Sequence, residues 1–191
     1  MSKSKYILLT ILLMAAVIGG LTACGGDGGA VKTETAPPVA AAANPQAAPI
    51  REAKVGGLAP EFELAKLDGA KISSKDLAGK PAVLVFWTAW CPSCKEEAPH
   101  INKLAAQYQS KGVRVVGINI GEGAARISEG IKDFGIEYDV VRDADTHIAK
   151  TYLVVGTPTV VFLDKKGVIR YHGNELPKDY AARLDQLESE S

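Results

Sequence analysis

The sequence predicts an α/β domain in which a central mixed β-sheet is flanked by helices. Three observations carry this. "KPAVLVFWTAW", Lys80 to Trp90, contains a continuous apolar run rich in valine and aromatics, too short for a buried helix and suited to a strand covered on both faces. Apolar residues at helical spacing follow it directly: Ala98, Ile101, Leu104, Ala105 and Tyr108. Further on, "TVVFLD" (Thr159 to Asp164) and "VIRYH" (Val168 to His172) flank Lys165-Lys166-Gly167, the pattern of an antiparallel hairpin. Strand and helix alternate, then a hairpin and a closing helix complete a layered sandwich.

The elements follow in order. Lys3 and Lys5 precede an apolar run from Tyr6 to Ile18, shorter than the roughly 20 residues that span a bilayer and of the length of a signal h-region. "LTAC", Leu21 to Cys24, puts small residues before a cysteine. It resembles a bacterial lipobox, which implies cleavage before Cys24 and a diacylglycerol on its sulfur. A plain cleaved signal and an uncleaved anchor running to Ala23 are the alternatives. Residues 24–54 are rich in Gly, Ala and Pro, too poor in apolar bulk to order themselves, and read as a flexible tether. Residues 55–191 are then the folded domain, long enough to bury a core.

Within the domain, Phe62-Leu64 and Lys71-Ile72 suggest a small hairpin. After the first long strand, a helix starts at or just before Pro92, carries Pro99 as a kink, and stops near Lys111-Gly112. Val113 to Ile120 is a second buried strand, and Ala124 to Phe134 a helix ended by Gly135. Tyr138 to Arg142 is a short extended piece. Asp145 is placed to cap a helix running to Leu153, and Pro177 to sit in the first turn of a last helix, Lys178 to Glu188.

Charge and motif content exclude several functions. The 22 basic and 22 acidic residues balance, so nothing points to nucleic acid. Phosphate-binding glycine motifs are absent from the sequence. With Cys24 assigned to lipidation, two of the 3 cysteines remain, Cys91 and Cys94. A structural zinc takes four Cys or His ligands, and one CxxC with scattered His100, His147 and His172 does not supply them. A bridge between residues three apart constrains the unfolded chain little, so a purely structural disulfide also fits poorly. Redox chemistry explains the spacing. Cys91 stands at a helix mouth, where unpaired N–H groups and the dipole favour thiolate. Cys94, one turn on, can then displace a product from a mixed disulfide on Cys91. Pro92 fits the first turn, where the N–H it lacks has no partner.

The stretch "DLAGKPAVLVFWTAWCPSCKEEAPHINKLAAQY", with "GTPT" downstream, resembles the active-site region of the thioredoxin superfamily. With the lipobox and tether it is similar to the TlpA/ResA-like branch, membrane-tethered thiol–disulfide oxidoreductases facing away from the cytoplasm. The resemblance implies a thioredoxin-like fold with an N-terminal hairpin and a central insertion at 121–143. It implies a cis Pro158 against the cysteines, the Thr157 backbone open to a substrate strand, and Trp90 over the disulfide; Trp87 is read as core. It implies that Glu97, three residues after Cys94, handles protons with a raised pKa. Cytoplasmic thioredoxins bury an aspartate at the position of Val85, so the proton carrier has to come from elsewhere. No cofactor or metal is expected beyond the redox-active Cys91–Cys94 pair. The implied partners are protein disulfides, as in cytochrome c maturation, a membrane thiol donor, and the membrane itself through the lipid. Two rivals remain. Thr88 stands three before Cys91 as in a peroxidase TxxC motif, although Leu84 replaces the proline of that motif. A copper chaperone on the same fold uses CxxxC, not CxxC.

Overall fold

A computed structural model describes Arg51 and residues 53–189 of the chain. The expected signal peptide, Cys24 and nearly all of the tether lie outside the described residues. Contacts nonetheless reach upstream of Val55: Arg51 bridges Leu58, and Ala53 is buried.

Seven strands form one sheet in the order β2-β1-β5-β4-β3-β6-β7. They are β1 (Glu63–Lys66), β2 (Lys71–Ser73), β3 (Ala82–Trp87), β4 (Arg114–Ile120), β5 (Asp139–Asp143), β6 (Thr159–Leu163) and β7 (Ile169–Gly173). The helices are α1 (Ser74–Leu77), α2 (Pro92–Tyr108), α3 (Ala124–Phe134), α4 (His147–Thr151) and α5 (Tyr180–Ser189). β3, β4 and β5 are parallel, whereas β6 and β7 run antiparallel to their neighbours and β1 runs antiparallel to β5. The sheet is therefore mixed, as expected, and the N-terminal hairpin pairs Glu63 with Ser73.

The side-chain alternation of β3 divides the core. Ala82, Leu84 and Phe86 face the layer containing Tyr152, Ile148 and Ile169. Val83 and Val85 meet Ile101, Leu104 and Leu184 on the other face, where Trp87 packs with Phe134 and Ile127. All six β3 residues are buried, and each large apolar side chain so placed contributes about 1.5–3 kcal/mol. Gly117 of β4 allows this packing, because a Cβ there would stand 2.9 Å from Tyr138 Cε2 and 3.2 Å from Trp87 Nε1.

Three local expectations change. α4 is not capped by Asp145 alone: the buried Asp143 carboxylate accepts the Ile148 and Ala149 N–H groups at 3.2 and 2.8 Å, while Asp145 accepts that of His147. α4 also ends at Thr151, before Leu153, which has φ 56. Pro177 lies upstream of α5 and accepts the Tyr180 N–H, so the last helix begins later than the proline suggests. α2 ends as expected: a 3-10 turn, Gln109–Lys111, leads to Gly112 at φ 83, a conformation glycine adopts without strain.

The parallel strands fix two poles. Cys91 and the residues after β4 lie at one; Lys80, before β3, lies at the other. β6 descends from Pro158 to Lys165 between them. The polypeptide enters at the Lys80 pole, where the Gly56 and Ala59 N–H groups donate to the Ile169 and Gly167 carbonyls at 2.8 and 2.9 Å.

Candidate active site around Cys91 and Cys94

Cys91 is the N-cap of α2, with Pro92 at the first helical position. The Thr88 carbonyl accepts the Cys91 N–H at 3.2 Å, turning the chain out of β3. Both cysteines are free thiols and buried, at 5% and 4% exposure. The Cys94 N–H donates to Cys91 Sγ at 3.3 Å, and the Cys91 thiol donates to the Thr157 carbonyl at 3.2 Å. Thr157 joins Pro158 through a cis peptide bond. The two motifs expected to meet, CPSC and GTPT, therefore do meet. In this dithiol form the Thr157 carbonyl is occupied by Cys91 rather than open.

The two sulfurs differ in acidity. Burial pushes the Cys91 thiol up, but the side chains of Cys94 and Thr157 and the N–H groups of Cys94 and Ser93 outweigh burial and hold it below the ordinary value. Burial pushes Cys94 well above its ordinary value, and the bond to Cys91 adds to that. The more acidic sulfur is the one at the helix mouth.

Around the sulfurs pack Trp87, Ala89, Ala98, Ile127 and Phe134. Trp87 is core, 1% exposed, while Trp90 is 68% exposed, so burial of the sulfurs comes from the Trp87 cluster. Glu97 lines a narrow crevice with Cys94, Trp87, Tyr138 and Pro158. Its Oε1 accepts the Leu176 N–H at 2.9 Å, which ties α2 to the loop after β7. Burial pushes the Tyr138 phenol above its ordinary pKa, and Cys94 and Glu97 add to the effect. Among the described residues no cluster of three His, Cys, Asp or Glu side chains could hold a metal ion.

The insertion contributes residues that spacing did not single out. Glu122 Oε2 accepts the Ala89 N–H and the Asn119 Nδ2 donor, both at 2.7 Å. Arg126 donates to the Ala89 carbonyl at 3.3 Å and lies 3.9 Å from Glu122. Both backbone groups of Ala89, two residues before Cys91, are thus held by side chains of the 121–143 segment. The signal was topological: β3 and β4 are parallel neighbours, so a residue just after β4 must stand beside the loop just after β3.

Comparison with known proteins agrees with this geometry. The model of the AhpC/TSA family matches residues 55–172. The chain belongs to the AhpC/TSA family. It is similar to the thiol-disulfide oxidoreductase ResA of Bacillus cereus, 35% identical over 116 residues, 61% of this chain and 67% of that one. ResA of Bacillus subtilis is 33% identical over 114 residues, 60% of this chain and 64% of its own. Among solved structures, a secreted Mycobacterium tuberculosis disulfide oxidoreductase homologous to E. coli DsbE superposes with TM-score 0.57 at 30% identity, over 68% of this chain and 96% of its own. MTB dsbF, solved in mixed oxidised and reduced forms, superposes with TM-score 0.61 at 26% identity, over 72% and 99%. Within that family this chain is a thioredoxin-like thiol–disulfide oxidoreductase of the TlpA/ResA-like group.

Proposed function

We propose that this oxidoreductase is an extracytoplasmic, lipid-anchored reductant of protein disulfides, of the kind needed to keep cytochrome c thiols reduced during maturation. The observation that carries the exchange chemistry is Cys91 at the mouth of α2, bonded by the Cys94 N–H and set against the cis Thr157-Pro158 bond, with the Cys91 pKa lowered and the Cys94 pKa raised. The Cys91 thiolate attacks a substrate disulfide. A bond forms between Cys91 Sγ and one substrate sulfur, the substrate S–S bond breaks, and the departing sulfur takes up a proton. Cys94 then yields its proton, with Glu97 beside it in the crevice as acceptor. Its sulfur attacks Cys91 Sγ and releases the second substrate thiol. The substrate gains two electrons and the enzyme is left as the Cys91–Cys94 disulfide, which a membrane thiol donor re-reduces. No other cofactor takes part.

Pro92 starts the helix that activates Cys91. Pro158 and Thr157 face the sulfurs, and exposed Trp90 gives an approaching chain an apolar surface. The anchor in this reading is diacylglycerol on Cys24. No helix among the described residues is long and apolar enough to cross a membrane. Support for the location comes from the secreted relative, and support for the substrate class from the relatives' thiol–disulfide activity.

Equilibration with glutathione buffers tests the direction. A potential near −270 mV, that of a strong dithiol reductant, supports the reading; one near −120 mV makes the protein an oxidant. The Cys94→Ser chain is expected to accumulate mixed disulfides through Cys91, and equal trapping by Cys91→Ser reverses the roles. Steady peroxide consumption would replace the reading with a peroxidase, and a tight copper site with a chaperone.

A further inference from the structure

The pole farthest from the cysteines carries charge that the redox chemistry does not use. Lys80 precedes β3 and Cys91 follows it, so the two stand at opposite ends of a strand roughly 20 Å long. Lys165 and Lys166 follow β6 at the Lys80 end, and the Gly79 N–H donates to the Lys165 carbonyl at 3.0 Å, joining the two loops. Here a cavity of about 170 Å³ is rimmed by Arg51, Lys75, Lys80, Lys165 and Lys166. Leu77 and Tyr152 are part of its lining.

The acids on the cavity wall are already matched: Glu61 pairs with Arg51, and Asp164 with Arg170. Lys75, Lys80 and Lys166 are exposed and form no ion pair among the described residues. Among the described residues Lys165 donates only to the Glu188 carbonyl, at 2.5 Å. Elsewhere among the described residues Lys66, Lys71, Lys95 and Lys111 each have a carboxylate partner, and Lys103, Lys132, Lys150 and Lys178, which have none, stand singly on α2, α3, α4 and the segment before α5. One opening therefore gathers four lysines without one. The chain also enters at this pole, with Arg51 on the cavity rim and residues 1–50 preceding it.

We propose that this lysine-rimmed pole docks reversibly on anionic phospholipid headgroups of the membrane to which the chain is tethered: docked, the domain turns its dithiol to exported substrates on the far side, and released, it is free to turn the dithiol to the membrane thiol donor. The inference rests on the anchoring read above, which brings the domain to the surface; the pole sets its orientation. About 27 residues separate Cys24 from Arg51 and can reach at most about 97 Å, so chain length alone lets either pole face the membrane. Phosphate oxygens are the anionic acceptors that Lys75, Lys80 and Lys166 lack. Each lysine brought near an anionic leaflet gains about fivefold in partition, and three unpaired ones about a hundredfold.

The lipidated full chain, recovered from membranes, tests this in vesicles of phosphatidylcholine alone or with about 30% phosphatidylglycerol. Brief amine acetylation is read lysine by lysine by mass spectrometry. On anionic vesicles Lys75, Lys80 and Lys166 are expected to react at least about fivefold more slowly than on neutral ones, and to recover in about 0.5 M salt. Lys103, Lys132 and Lys178 serve as unchanged controls. In a chain carrying Lys75→Gln, Lys80→Gln and Lys166→Gln, Lys165 is expected to react at the same rate on anionic and neutral vesicles. Equal acetylation on both vesicle types overturns the proposal. So does protection by inorganic phosphate without vesicles, which would make the cavity a site for a soluble anion. An intact mass lacking diacylglycerol on Cys24 sinks the anchoring alone. Anionic vesicles added from outside still report on the pole: co-flotation with them supports docking, and its absence overturns it.

Discussion

Replacing Glu122 by alanine removes one oxygen that holds two donors. Ala89 is 7% exposed and Asn119 is 0% exposed, so water does not readily replace the lost acceptor. An orphaned buried donor costs about 1–3 kcal/mol. Two of them, less what water entering the vacated space recovers, give an expected loss of about 3 kcal/mol from a typical total of about 5–15 kcal/mol. Glu122→Gln keeps an oxygen of the same reach and should cost about 1 kcal/mol or less. Urea unfolding of the reduced protein measures both. A second reading comes from alkylation of Cys91 at neutral pH, which should slow in the alanine variant because the turn from Thr88 to Cys91 loses its hold on the insertion. If alanine and glutamine cost the same, or if both fall under about 0.5 kcal/mol, the Ala89 clamp does not carry the load assigned to it.

Gly130→Ala would bring a Cβ to 2.5 Å from the Ala89 Cβ and 3.2 Å from its Cα, overpacking the same loop from α3. A loss of about 1–3 kcal/mol, seen as a lowered Tm, is expected, and an unchanged Tm contradicts the packing. Iodoacetamide at neutral pH should label Cys91 before Cys94, since only Cys91 is held below its ordinary value. Mapping the first label to Cys94 would refute the assignment. The same split shapes stability of the dithiol form. Cys91 releases its proton earlier when folded, so its contribution is present above the ordinary thiol value and is lost as pH falls through its folded value. Cys94 keeps its proton when folded, so stability drains as pH rises from 9.0 toward about 12, by no more than about 1.4 kcal/mol per pH unit. Comparison with Cys94→Ala in alkaline urea titrations checks the sign, since that variant should lack the decline.

Much of this was legible in the residue pattern because the decisive signals are local. The apolar run before Trp90 could only be a doubly covered strand, and Cys91 had to fall at the mouth of the helix that Ala98, Ile101 and Leu104 define. The meeting of CPSC with GTPT came from family resemblance, because no periodicity places Thr157 beside a cysteine 66 positions away. The capping of α4 was misread because Asp145 is the nearer candidate in sequence. Asp143 reaches the Ile148 and Ala149 N–H groups only because β5 delivers it, buried, to that end of the sheet. Strand β5 itself looked like a short extended piece. Its place between β1 and β4 depends on non-local pairing that its own few residues do not encode. Glu122 and Arg126 escaped notice for the same reason: their partners are the backbone groups of Ala89, and backbone groups leave no mark in the letters of a sequence.

The two rims of the sheet limit what its neighbours can do. At one side stands β2, three residues long and followed at once by a capped helical turn. At the other stands β7, whose pairing with β6 slips between Phe162 and Leu163 and whose Arg170 is drawn to the buried Asp164. Neither rim gives a second copy enough straight, uncharged backbone to zip onto. A strand added at either rim would have to follow a backbone that ends or slips within a few residues.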